Sequence, residues 1–130
     1  MSPDNPGTTL PAGNMTSGPK PGTMADGQTR RWPVYDAWNR LVAVYEDDDA
    51  DGVFEPGTDA QLAAYEYDGL HRQIRRTDVT ASPDVVDDTY YNTRWQAVEI
   101  RRDGDLYKQF IWDLRYIDAP VVRFRDTDGN

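Results

Sequence analysis

Two stretches of this chain repeat one pattern, and that pattern restricts the fold more than any other feature. The first is Tyr35-Asp36-Ala37-Trp38-Asn39-Arg40-Leu41-Val42. The second is Tyr67-Asp68-Gly69-Leu70-His71-Arg72-Gln73-Ile74. Both read Tyr-Asp, two variable residues, a turn residue, Arg, one more residue and an aliphatic side chain. Each ends one run of strand-forming residues and opens another. An internal repeat built on a hairpin predicts a repetitive β scaffold whose units need neighbours for a core. It points to architecture rather than catalysis.

The physics of the unit follows from its residue types. The Tyr ring covers a pleated face and favours a strand. Asp at the strand end accepts hydrogen bonds from amides two residues on and starts a turn. The fifth position requires positive φ, which Asn39 tolerates and in which His, as at His71, is enriched. Leu41 and Ile74 then return to an apolar face.

Residues 1–31 do not share this character. They contain five prolines, five glycines and no aromatic side chain. Such a segment buries too little apolar surface to offset its ordering entropy, so a disordered tail is expected there. Within it, Ala12-Gly13-Asn14-Met15-Thr16 is similar to the turn half of the repeat, with Thr9-Leu10 in place of Tyr-Asp. All 15 aromatic residues begin at Trp32. A folded part of about 100 residues buries only about 60% of its surface and is marginal alone. There is no Cys, so neither a disulfide nor a thiolate metal site exists.

The expected fold class is all-β: antiparallel hairpins forming a segment of a twisted sheet over residues 32–130, behind the tail 1–31. Strands are expected at 32–35, 41–45, 61–68, 73–79, 88–91, 95–101, 106–112 and 121–125. Asp103-Gly104 is a strong two-residue hairpin signal. Leu62-Ala63-Ala64-Tyr65 has some helical character, but the Glu66-Tyr67-Asp68 that follows favours a strand. The Asp128-Gly129 signal near the last residue leads to the expectation of a segment truncated within a hairpin.

Charge excludes some functions. The net charge is −9, which argues against nucleic acid, whose binders carry a basic patch. Residues 46–61 hold seven acids and no base, so the acidity is local. No apolar run approaches the roughly 18–20 residues of a membrane helix, and Met1-Ser2-Pro3-Asp4 does not open a signal peptide.

The repeats resemble the Tyr-Asp (YD) repeats of the Rhs family, the rearrangement-hotspot proteins. Tyr35-Asp36…Asn39-Arg40-Leu41 and Tyr67-Asp68…His71-Arg72 carry the resemblance, and Tyr91-Asn92…Arg94-Trp95 is similar to a worn copy. Asn39 and His71 stand where the family usually has Gly. The resemblance spans about residues 32–125. It implies a bacterial β-sheet shell that encloses or presents a cargo, commonly a C-terminal toxin, at the cell surface or in secretion. The implied partners are adjoining YD repeats and such a toxin or cargo domain. The family's terminal autoprotease motif and toxin are absent here, so the chain resembles a piece of shell wall.

Chemical motifs are few. Asp47-Asp48-Asp49-Ala50-Asp51-Gly52 matches the D-x-D-x-D-G start of a calcium loop, with oxygens at alternate positions and Gly52 at the bend. Asp47, Asp49, Asp51, Glu55 and Asp59 are the candidate calcium ligands. Thr58 replaces the closing Glu, and no helices flank the loop. The simpler expectation is a solvated acidic loop that binds calcium weakly at most, with no cofactor. His71 is the sole histidine, and the only serines are Ser2, Ser17 and Ser82, so a Ser-His-Asp triad has little to draw on. No carboxylate pair stands out for glycoside hydrolysis. Trp32, Trp38, Trp95 and Trp112 could stack on sugars, though packing on a sheet is the commoner use.

The sequence therefore predicts a non-enzymatic structural segment with no catalytic residues. Its open sheet edges predict self-association. A secreted β module binding carbohydrate or calcium is the alternative.

Overall fold

A computed structural model describes residues 13–20, 30–114 and 119–127. Among them there are nine strands and no helix, and all strand pairings are antiparallel. No helix is long and apolar enough to cross a membrane among the described residues. The chain divides into two compact units, Met1–Tyr65 and Glu66–Asn130.

The first unit contains β1 (Gly18–Pro19), β2 (Arg30–Tyr35), β3 (Leu41–Glu46) and most of β4 (Ala60–Tyr67). Each strand pairs with its neighbour in sequence. Trp32 faces Tyr45 and Val34 faces Ala43 across β2 and β3, while Ala43 faces Ala64 across β3 and β4. Ala43 and Ala63 are the buried apolar residues of the described chain, and no large side chain is fully buried. Leu62–Tyr65 is strand, as the Tyr-Glu-Tyr pattern after it implies.

Residues 13–20, assigned to the tail by composition, include β1, which pairs Gly18 with Arg31. Lys20 reaches Glu46 at 2.6 Å and Arg31 reaches the same carboxylate at 3.3 Å. Gly13 of the turn-like fragment takes φ 85°. The rest of the expected tail, 1–12 and 21–29, lies outside the described residues.

The second unit contains the end of β4, then β5 (Gln73–Asp78), β6 (Val85–Tyr91), β7 (Ala97–Arg102), β8 (Asp105–Trp112) and β9 (Pro120–Arg125). The polar character of β5 has a cross-strand explanation. Arg75 lies opposite Asp88 and bonds it at 2.6 and 3.1 Å. Asp87 lies opposite Arg102, which bonds it at 2.8 and 2.9 Å. Adjacent residues of a strand point to opposite faces, so Asp87 and Asp88 clamp β6 on both. Arg102 also lies 3.8 Å above the Tyr107 ring. The Asp103-Gly104 turn has φ 52° and 96°, as a type I′ hairpin turn requires.

Trp95 corrects one boundary. The sequence places it at the start of a strand, but β7 begins at Ala97 and Trp95 sits in the turn at φ 67°.

Candidate functional site

Three turns share one construction. In the first, the Asp36 amide donates to the Arg40 carbonyl at 2.9 Å and the Asn39 amide to the Asp36 carbonyl at 3.0 Å. The Asp36 carboxylate accepts from the Trp38 and Arg40 amides at 2.9 and 3.0 Å and from Arg40 Nε at 2.7 Å. The second turn repeats every one of these bonds. The Leu70 and Arg72 amides donate to Asp68 at 2.8 and 3.0 Å, and Arg72 Nε at 2.7 Å. Asn39 and His71 take φ 61° and 65°, as their place in the motif demands.

The third turn is a neutral version of the same device. Asn92 Oδ1 accepts from the Arg94 and Gln96 amides at 2.8 and 3.1 Å. Asn92 Nδ2 then donates to Gln96 Oε1 at 2.9 Å, where the other turns have an ion pair. The amide pair conserves the geometry without charge.

Charge shifts the titration of the first two turns. Desolvation pushes Asp36 and Asp68 upward. Hydrogen bonds from the Arg amide, the guanidinium and the amide two residues on outweigh it, holding both carboxyls below the ordinary value.

In the second unit, successive turns also touch. The Arg72 guanidinium lies 5.0 Å from the Tyr91 ring and 5.5 Å from the Trp95 ring. The Tyr91 hydroxyl donates to the Gln73 carbonyl at 2.8 Å. Burial raises the Tyr91 phenol above its ordinary value, against the pull of Arg72, so it stays a donor. Trp112 repeats the contact one step on, with Nε1 donating to the Ala97 carbonyl at 2.6 Å. Gln73 and Ala97 occupy the same place, one residue past the turn.

Trp112 thus takes the place that Tyr91 has one turn earlier, an equivalence that sequence reasoning missed. The Asp113 amide donates to the Ala119 carbonyl at 3.0 Å, six residues on rather than four, and residues 115–118 between them lie outside the described residues. The pairing register shifts just before Tyr35, Tyr91 and Trp112 alike. The available signal was an aromatic residue followed by Asp, with Trp in place of Tyr.

The acidic loop between β3 and β4 contains a second cluster. One carboxylate oxygen each from Asp47, Asp49 and Asp59 lie within 4.8 Å of one another. Asp49 is exposed, but Asp47 is only 2% and Asp59 only 7% exposed. Asp47 Oδ2 accepts from the Gly52 amide at 3.1 Å, and Asp59 Oδ2 from the Glu55 amide at 2.9 Å. The other oxygen of each, Oδ1, is buried without a hydrogen-bond partner. Burial raises the Asp47 pKa, the Gly52 and Ala50 amides oppose this, and the Asp59 and Asp49 charges add to the rise.

Two of the expected calcium ligands stand apart from this cluster. Asp51 accepts from the Val53 amide at 2.7 Å. Glu55 is exposed, and its carbonyl caps the Gly57, Thr58 and Asp59 amides at 2.7, 3.0 and 2.9 Å. Phe54 anchors the loop against Trp32 at 6.1 Å and Tyr45 at 5.2 Å.

The remaining candidates have structural surroundings. His71 is a turn residue. Trp32 packs against Phe54, and Trp112 packs 6.5 Å from Phe110. Trp38 is exposed, with the Arg40 guanidinium 5.0 Å from its ring. Compared with known proteins, the chain matches no family model and no curated protein.

Proposed function

We propose that this chain is a non-enzymatic structural segment of an Rhs-like YD-repeat β-shell, a wall that encloses or presents a cargo or toxin domain. The observation that carries the reading is the coupling of successive turns. Arg72 of one turn stacks on Tyr91 and Trp95 of the next, and Tyr91 returns a hydrogen bond to Gln73. Such nearest-neighbour contacts are how repeat arrays propagate order along a chain. The shallow burial fits this reading, because a wall segment leans on further hairpins. Secretion or surface display is part of the proposal, on the same resemblance.

The coding DNA around the gene tests it. Further Tyr-Asp turns at similar intervals are expected, with a cargo domain beyond them. An isolated reading frame bordered by unrelated genes would overturn the wall reading.

A further inference from the structure

We propose that the loop between β3 and β4 is a calcium site to which Asp47, Asp49 and Asp59 each give one carboxylate oxygen. Two oxygens on one calcium ion, with ligands at about 2.4 Å, are at most about 4.8 Å apart. The three oxygens here meet that limit.

Burial separates this site from a merely acidic loop. Carboxylates that serve solubility stay in water. Asp47 and Asp59 are instead more than nine-tenths buried, and each leaves one oxygen without a donor. An ionised oxygen buried without a partner is costly, and a cation supplies the missing partner to both at once. The loop also holds the two carboxylates in orientation. The Gly52 and Glu55 amides fix one oxygen of each and leave the other free. Gly52 at φ 75° and Ala50 at φ 58° bend the chain back over the cluster.

The donor set selects the ion. It is all oxygen, with neither His nor Cys, so a hard cation is expected rather than zinc or copper. Magnesium demands near-ideal octahedral geometry and gives up water reluctantly, while calcium accepts irregular ligands and higher coordination. The set also departs from the helix-flanked loop that the motif suggests. Asp59, twelve residues after Asp47 in the chain, replaces Asp51 as the third carboxylate.

The site does not depend on the wall reading, and the two fail separately. The test is calorimetric titration of the chelator-treated chain with calcium chloride, with a magnesium chloride arm at matched ionic strength. One saturable calcium site per chain is expected, with Kd on the order of 10⁻⁴ M, and magnesium weaker by at least about tenfold. Asp49→Asn, at an exposed position, should weaken calcium by about tenfold without altering the circular dichroism. Asp47→Asn with Asp59→Asn should abolish binding. If that double variant does not fold, Asp49→Asn decides. Absence of saturable calcium heat up to about 10 mM would overturn the proposal. So would equal affinity for both cations, or an Asp49→Asn variant with unchanged Kd.

Discussion

Arg72 holds Asp68 within its own turn and lies over the Tyr91 ring of the next, at 2.7 Å and 5.0 Å respectively. One guanidinium therefore closes a turn and links it to its successor. Its planar fork serves both tasks, donating from its edge to the carboxylate while its delocalised charge lies over the ring.

That link is measurable. In a double-mutant cycle on Arg72→Met and Tyr91→Leu, a coupling of about 0.5–1 kcal/mol is expected. Tyr91→Phe keeps the ring but leaves the Gln73 carbonyl without its donor, and should cost about 1 kcal/mol. Additive effects in urea melts would show that the turns do not communicate.

The three turns should respond differently to acid. Asp36 and Asp68 have pKa values lowered from 3.8 in the folded chain. Their stabilisation is present above that value and lost as pH falls below it toward the folded pKa. The Asn92 turn has no carboxylate and should not change. Amide exchange at low pH should expose Leu70 and Arg72 before Arg94 and Gln96. Simultaneous loss of all four amides would contradict the charged and neutral assignments.

His71 occupies a left-handed conformation with φ 65°. A β-branched residue is strained there, so His71→Val should cost about 1–2 kcal/mol. His71→Gly should be nearly neutral, because relief of strain offsets the added backbone entropy. Thermal melts of the two variants check this, and equal losses would show that the imidazole rather than the backbone matters.

Strand β9 is exposed along its length, with Val121 and Phe124 at 62% and 56%. Apolar strands open at an edge recruit other strands. Sedimentation of the chain should show self-association, reduced by Val121→Lys with Phe124→Lys. A compact monomer that melts cooperatively would remove the main physical support for a segment dependent on neighbours.

Local chemistry determined much of this protein in the sequence. An Asp followed four residues later by Arg closes a turn through bonds within five residues, so the turns at Asp36 and Asp68 were readable, as was Asp103-Gly104. The tertiary structure decided the rest. It showed that Asn92 and Gln96 reproduce an ion pair with neutral groups, that Trp95 belongs to a turn, and that Trp112 stands where Tyr91 stands one turn earlier. The Asn92 turn is closed by local bonds between residues at most four apart, whereas Trp112 takes its place from strand register and from the Ala97 carbonyl of the neighbouring strand. It also decided the acidic loop. The sequence named Asp47, Asp49, Asp51, Glu55 and Asp59 as candidates, and folding brings Asp47, Asp49 and Asp59 together while it turns Asp51 to a backbone amide. Burial is set by how β3 and β4 bring the two ends of the loop together, and no local spacing records it.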